Sequence, residues 1–118
     1  MAIQIVGTRN SLVTSYIGIG TWLGLATGNP GTTTTPSNEA TGGSPAYARK
    51  QTTWGAASAS ASTGSAVTID VAAGTYVWAI LASAVTLASA NQTDNCAITS
   101  TVLGAQGQVI LTPSFTQS

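Results

Sequence analysis

The chain has 118 residues, of which only three are basic and three acidic, and it contains no histidine. Soluble domains commonly carry about a quarter charged residues, so this sequence lacks most of the groups used for acid–base catalysis, metal binding and phosphate contacts. The composition argues against an enzyme, against a bound cofactor or metal, and against a nucleic-acid-binding protein. A membrane span is not expected, because it needs about 20 apolar residues and the most apolar window, residues 76–90, contains Ser83, Thr86 and Ser89.

The length fits a single domain covering residues 1–118. Its core should be thin, because the chain has only three Trp, three Tyr, one Phe and one Met. Folded proteins are marginally stable, so burial between copies would supply what a thin core lacks. A net charge of zero also removes the repulsion that keeps free monomers apart. We therefore expect a homo-oligomer, and a trimer is the first expectation.

The first part of the chain predicts a short helix followed by a strand. Apolar residues at helical spacing indicate a helix over residues 9–17, which Gly18 and Gly20 would end. Residues 21–26 are largely apolar, which is typical of a buried strand. The connection 27–45 is rich in Gly, Pro, Thr and Asn. We interpret it as an extended, ordered loop or arm that contacts a neighbouring subunit.

The middle of the chain predicts further strands. Residues 46–54 have strand character, with apolar and polar side chains on both faces. Residues 55–64 repeat Ala and Ser without a large side chain, which indicates a surface turn or a flat edge segment. Residues 65–71 alternate between apolar and polar and give the clearest strand pattern. Residues 76–82 are apolar on both faces, which predicts a strand in the centre of a sheet.

The last third predicts a loop, a turn and a hairpin. Residues 84–90 are expected to be a loop with a possible strand, and residues 91–95 a polar turn. Two strands, 97–103 and 108–114, would be joined as a hairpin through residues 104–107. The predicted fold is therefore mainly all-β. We expect a small antiparallel β-sandwich or barrel of six to seven strands, with a short N-terminal helix and a long ordered loop.

No catalytic, cofactor or metal site is expected. Glu39, Asp70 and Asp94 are too few carboxylates for a calcium site, and a two-carboxylate glycosidase would need a cleft rich in supporting polar and aromatic groups. Cys96 is the single cysteine, so no disulfide can form within the chain. We expect Cys96 to be a small buried hydrophobe. The alternative, a reactive thiol, has no His or Lys close in sequence that would lower its pKa.

One segment, residues 38–50, holds three of the six charged side chains. Glu39 and Arg49 could pair across a glycine turn, while Tyr47 buries its ring and its hydroxyl reaches a backbone partner. In this interpretation the segment holds the long loop against the rest of the domain. In the alternative it is an interface, where Arg49 and Lys50 contact an acidic patch on another protein. The candidate residues for either role are Asn38, Glu39, Gly42, Gly43, Tyr47, Arg49 and Lys50.

The same region resembles a known family. The sequence reads G-N-P-G at residues 28–31, N-E-A-T-G-G-S-P-A-Y-A-R-K at 38–50 and T-W-G-A-A at 53–57. These runs are similar to small virion proteins of tailed bacteriophages, which are frequent among phages of actinobacteria and are labelled head-decoration, tail-fibre-like or minor tail proteins. A looser similarity continues through V-T-I-D-V-A-A-G-T-Y at 67–76.

The resemblance implies a structural protein of the virion. We expect a capsid decoration (minor capsid) protein that binds the shell built by the major capsid protein and bridges its neighbouring subunits. It would be made in the host cytoplasm and located on the capsid surface of the virion. The alternative is a minor tail or tail-fibre-like protein bound to other tail proteins, which exposed Trp22, Trp54 or Trp78 would favour. A third possibility, a carbohydrate-binding module, needs the same aromatic side chains in one planar row.

Overall fold

The computed structural model describes residues 2–117. It begins with one α-helix, α1 (Val6–Ile19). The strands that follow are β1 (Trp22–Ala26), β2 (Lys50–Gln51), β3 (Ala61–Thr63), β4 (Val67–Val71), β5 (Gly74–Ala82), β6 (Gln92–Leu103), β7 (Gly107–Leu111) and β8 (Ser114–Thr116). All of their pairings are antiparallel. The prediction of a mainly all-β antiparallel fold is confirmed. The described residues form more strands than the six to seven expected, and the additional strands are very short ones, among them β2, β3 and β8.

The strands form one four-stranded sheet, in the order β2-β1-β5-β6, and two ribbons, β3–β8 and β4–β7. One hydrophobic cluster joins the larger sheet to the β4–β7 ribbon in a sandwich-like arrangement. The sheet contributes Leu23, Leu25 and Leu81, while the ribbon contributes Ile69 and Val109. The expected long connection between β1 and β2 is also present, and it contains only an isolated bridge from Glu39 to Ala26.

Sequence periodicity predicted β4 and β5 well. In β4 the side chains of Val67, Ile69 and Val71 are buried and Thr68 is exposed, as the alternating pattern indicates. β5 lies between β1 and β6 in the sheet, so the predicted central position is confirmed. Its consecutive residues Ile80 and Leu81 are both buried, because side chains on both faces of a central strand are covered.

The helix is longer than predicted. It runs over 14 residues, from Val6 to Ile19, rather than over residues 9–17. Gly18 lies inside its last turn, and only Gly20, which is extended with φ −145° and ψ 121°, ends it. Val13 is the one buried residue of the helix. No helix within residues 2–117 is both long enough and apolar enough to cross a membrane.

Three local predictions were wrong. Of residues 46–54, only Lys50–Gln51 form a strand, because a turn that ends at Tyr47 occupies the first part of that segment. Residues 91–95 are not a turn, since β6 begins at Gln92 and its polar side chains bond to the long loop. The predicted hairpin is absent as well: β6 pairs with β5 while β7 pairs with β4, so residues 104–107 connect two different sheets.

The Ala- and Ser-rich segment 55–64 combines both of its predicted forms. The chain turns at Ala59 and Ser60, and the segment then enters β3, which pairs with β8. Ser62 is buried within β3, and its hydroxyl donates a 2.6 Å hydrogen bond to the carbonyl of Gly55. A hydrogen bond therefore satisfies the buried hydroxyl in a segment that has no large apolar side chain.

Candidate functional site

Glu39 and β2 lie along the same edge of β1. The antiparallel partner of Leu23 is Lys50, and that of Ala26 is Glu39. The other edge of β1 is occupied by β5. Residues 40–49 are consequently a loop that leaves this edge and returns to it. Gly24 lies in β1 between the two contact points, opposite the base of the loop.

A buried ion pair closes the base of this loop. Arg49 Nε donates to Glu39 Oε2 and Arg49 Nη2 donates to Glu39 Oε1, both at 2.8 Å. The Tyr47 hydroxyl donates to Glu39 Oε2 at 2.7 Å and accepts from the backbone N–H of Leu25 at 3.1 Å. The contacts suggested by the sequence, a Glu39–Arg49 pair and a buried tyrosine with a backbone partner, are present. The two bonds between Arg49 and Glu39 form a bidentate contact, which is the strong geometry for an arginine–carboxylate pair.

Arg49 also binds a second loop. Its Nη1 donates to the carbonyls of Ala84 at 2.9 Å and Thr86 at 3.1 Å, and to Asn91 Oδ1 at 2.7 Å. The Asn91 amide in turn donates to the Thr86 carbonyl at 2.9 Å, which fixes the shape of this loop. Only 1% of Arg49 is exposed. One guanidinium therefore holds the long loop, the start of β2 and the β5–β6 connection together. We call Glu39, Tyr47, Arg49 and Asn91 the clasp.

Burial and the neighbouring Glu39 carboxylate hold Tyr47 in its neutral form. Burial raises the pKa of the Tyr47 hydroxyl, and the charge of Glu39 and the hydrogen bond to it raise this pKa further. The N–H of Leu25 and the charge of Arg49 act in the opposite direction, with smaller effect. The hydroxyl stays protonated and acts as a hydrogen-bond donor to the carboxylate.

The glycine pair shapes the tip of the same loop. Gly42 has φ +78° and Gly43 has φ +98°, in the left-handed region that favours glycine. The Gln106 side chain docks against this turn: its Oε1 accepts from the N–H of Ser44 at 3.1 Å, and its Nε2 donates to the carbonyl of Pro45 at 3.2 Å. The turn is thereby attached to the β6–β7 connection.

Asn38 has a left-handed backbone as well, with φ +61°. Its side chain donates to the Asn29 carbonyl at 3.0 Å, and its own carbonyl accepts from the N–H of Thr27 at 3.0 Å. These bonds close the segment between Thr27 and Asn38 into a compact loop. Lys50, the last candidate residue, is exposed on β2.

The structure thus brings five of the seven candidate residues into the base and turn of one loop. Asn38 closes the neighbouring segment between Thr27 and Asn38, and Lys50 lies at the surface. For Arg49 the structure favours the first interpretation, because its side chain is buried and hydrogen-bonded within the chain. Sequence reasoning missed Gly24. A Cβ at this position would overlap the Tyr47 hydroxyl and lie 3.0 Å from Glu39 Oε2. A glycine inside an apolar strand was the available signal, since it marks a close approach by other atoms.

The two remaining carboxylates also accept hydrogen bonds within the chain. Asp94 accepts from the Tyr16 hydroxyl at 2.7 Å, and Asp70 accepts from Gln108 at 2.9 Å. No group of three or more His, Cys, Asp or Glu that could hold a metal occurs within residues 2–117. The predicted burial of Cys96 was wrong, because its side chain is exposed on β6. Partial burial, together with the charge of Asp94, raises the pKa of its thiol.

Two open clefts lie beside β6. One, of about 350 Å³, is lined mainly by apolar and aromatic side chains, including Tyr16 stacked on Phe115. The other, of about 430 Å³, lies between Trp78 and the hydroxyl-rich residues 32–34. All three tryptophans are half-buried. The indole N–H groups of Trp54 and Trp78 both donate hydrogen bonds within the chain, at 2.8 and 2.9 Å.

Comparison of the chain with protein-family models, with curated proteins and with solved structures gave no match.

Proposed function

We propose that the chain is a structural virion protein of a tailed bacteriophage. In this proposal it decorates the capsid as a homo-oligomer, with a trimer expected, and bridges neighbouring subunits of the major capsid protein. The resemblance of residues 28–31, 38–50 and 53–57 to virion proteins supports membership of the particle. One structural observation supports the structural role: Glu39 and Arg49 bond to each other and to neighbouring groups of the chain, so the only two charges buried in this segment are used to hold the fold together.

The clasp also suits a protein that docks on a repeating surface. A flexible loop of this length would lose conformational entropy when it became ordered on the shell. The contacts of Glu39 and Asn38 order the loop beforehand, so docking costs less free energy. The exposed residues 32–35 at the far end of the loop are then held in a fixed position relative to the sheet.

The copy number in purified particles tests the proposal. Quantitative mass spectrometry would give the ratio of this chain to the major shell protein. A ratio near one is expected for capsid decoration. A trace ratio would assign the chain to the tail, and absence from particles would refute a role in the virion.

A second candidate, a tail protein that contacts host glycans, is favoured by the cleft at Trp78. Sugars stack on aromatic rings and bond to hydroxyl and amide groups, and this cleft offers Trp78 beside residues 32–34 and Asn29. Binding to a glycan array that is lost in Trp78→Ala and kept in Trp22→Ala would support this function. If the protein binds no glycan on the array, this second candidate function is refuted.

A further inference from the structure

The cleft of about 430 Å³ has two walls that hydrogen bonds join to each other. One wall is the tip of the long loop, residues 31–34, and the other is the start of β6. Gln92 donates to two carbonyls of the loop tip, from its backbone N–H and from its side-chain amide, both at 2.7 Å. The Asn95 amide donates to a third carbonyl, that of Gly31, at 2.9 Å. Because the chain itself fixes the loop tip on β6, a ligand would not have to order it.

Asn95 also fixes the aromatic side of the cleft. Its Oδ1 accepts from the indole N–H of Trp78 at 2.9 Å, and its Nδ2 also donates to Gln92 Oε1 at 3.1 Å. The N–H is the single hydrogen-bonding group of an indole. What the half-buried Trp78 offers to a ligand in the cleft is therefore the carbon surface of a ring whose orientation is already fixed.

The loop wall offers free hydroxyl groups. Within residues 2–117 the side-chain hydroxyls of Thr32 and Thr34 have no hydrogen-bond partner, whereas that of Thr33 donates to the Thr35 carbonyl at 3.1 Å. Each free hydroxyl can donate one hydrogen bond and accept two. Free hydroxyls opposite an aromatic ring suit a ligand that has several hydroxyl groups of its own and an apolar C–H face.

The charges around the cleft disfavour an acidic ligand. Asp94 is the one charged residue among the described residues that line the cleft. Its oxygens accept from the N–H of Asn95 at 2.8 Å and from the Tyr16 hydroxyl at 2.7 Å. The basic residues of the chain, which do not line the cleft, are Arg9, Arg49 and Lys50. A phosphate, sulfate or carboxylate group would therefore meet a like charge and no counter-ion.

We infer that this cleft binds a neutral hexose unit, with a C–H face of the sugar on Trp78 and its hydroxyls bonded to Thr32 and Thr34. The volume of about 430 Å³ lies within the range of about 300–1,000 Å³ of small-ligand sites. The inference rests on the second candidate function for the source of the sugar, a host glycan, and narrows that function to neutral sugars. One hexose has few atoms with which to bind, so we expect a dissociation constant of about 1–10 mM.

NMR titration of the purified full chain with methyl glycosides of glucose, galactose and mannose tests the inference. Each neutral sugar is compared with its uronic acid, in which a carboxylate replaces the hydroxymethyl group. We expect at least one neutral sugar to bind, and its uronic acid to bind at least about fivefold more weakly.

Two neighbouring variants locate the bound sugar. Thr34→Val removes a free hydroxyl from the cleft and should weaken binding roughly fivefold. Thr35→Val is the matched control, because Thr35 is exposed in the same loop but does not line the cleft, and it should leave binding unchanged. Both side chains are exposed, so circular dichroism should show an intact fold. An equal effect of the two variants would overturn the inference.

The outcomes separate this inference from the proposed functions. A uronic acid that binds as tightly as its neutral sugar, and that Thr34→Val weakens, would refute the preference for neutral sugars and leave glycan contact at this cleft intact. Absence of binding by every sugar up to about 100 mM, well above the expected dissociation constant, would refute both. Particle copy number is independent of these results: a chain that binds a neutral hexose but is absent from particles would keep the inference and refute the role in the virion.

Discussion

Replacement of Arg49 by alanine tests whether the clasp holds the fold. The substitution removes both bonds to Glu39 and leaves its carboxylate without a counter-ion, in a position where only 8% of the side chain is exposed. Breaking a buried pair by removing one partner costs about 3–5 kcal/mol. The carbonyls of Ala84 and Thr86 and the Oδ1 of Asn91 also lose the hydrogen bond from Arg49. We expect the free energy of unfolding to fall by about 4 kcal/mol.

This loss is large for a chain of this size. Typical stabilities of 0.05–0.15 kcal/mol per residue give about 6–18 kcal/mol for the whole protein. At about 4 °C for each kcal/mol, the melting temperature should drop by roughly 15 °C. Urea unfolding followed by tryptophan fluorescence measures the change. Lys50→Ala is the control, because this neighbouring side chain is exposed and should alter stability by no more than about 0.5 kcal/mol.

A double variant shows whether the residues act as one unit. Once Arg49 is absent, the Glu39 carboxylate has lost its partner, so Glu39→Ala should add little further loss in the Arg49→Ala background. Full additivity of the two losses, or a loss below about 1 kcal/mol for Arg49→Ala alone, would refute the clasp as a stabilising unit. A folded Arg49→Ala protein that no longer joins particles would instead show that this region contacts the shell.

Three further predictions concern single positions. Gly24→Ala should destabilise the protein by about 1–3 kcal/mol in thermal unfolding, because its Cβ would displace the Tyr47 hydroxyl and Glu39 from their contact; unchanged stability would contradict the packing described. Because the pKa of Tyr47 is raised, the folded state keeps a proton that the unfolded state releases above about pH 10. The contribution of Tyr47 to the free energy of unfolding is therefore full below that pH and decreases above it, by up to about 1.4 kcal/mol per pH unit. Urea titrations at pH 9–11 should show that the free energy of unfolding decreases less steeply in Tyr47→Phe than in the wild type. Finally, maleimide should label exposed Cys96 in the folded protein, but more slowly at pH 7 than a free cysteine peptide, since burial and Asp94 raise its thiol pKa; equal rates would refute the raised pKa.

The parts of the fold that local sequence predicts are those governed by periodicity. β4 alternates and β5 is apolar on both faces, and each pattern determines which side chains are buried. Strand pairing was not predictable in the same way. Residues 104–107 look like a hairpin turn, yet β7 pairs with β4, about 40 residues away, and both strands contribute side chains to the same buried cluster. Local propensity does not contain that information.

The polar residues at the start of β6 also show that local sequence does not determine strand position. Asn and Asp favour turns when only their neighbours are considered. Here the side chain of Asn95 accepts from Trp78 and donates to the Gly31 carbonyl, while Gln92 donates to the Thr33 carbonyl. Contacts with a loop some 60 residues earlier outweigh the turn propensity. In the clasp, too, the sequence predicted the partners within residues 38–50, but not Asn91 or the carbonyl of Ala84.

The composition of the long loop explains why a chain with six charged residues places two of them inside the fold. Residues 27–45 contain no large aliphatic or aromatic side chain, so hydrophobic burial cannot fix the path of the loop. Hydrogen bonds and ion pairs are directional, and a bidentate contact admits only a narrow range of geometries. A buried ion pair adds little net stability compared with an apolar pair, but here Arg49 selects one loop conformation from many.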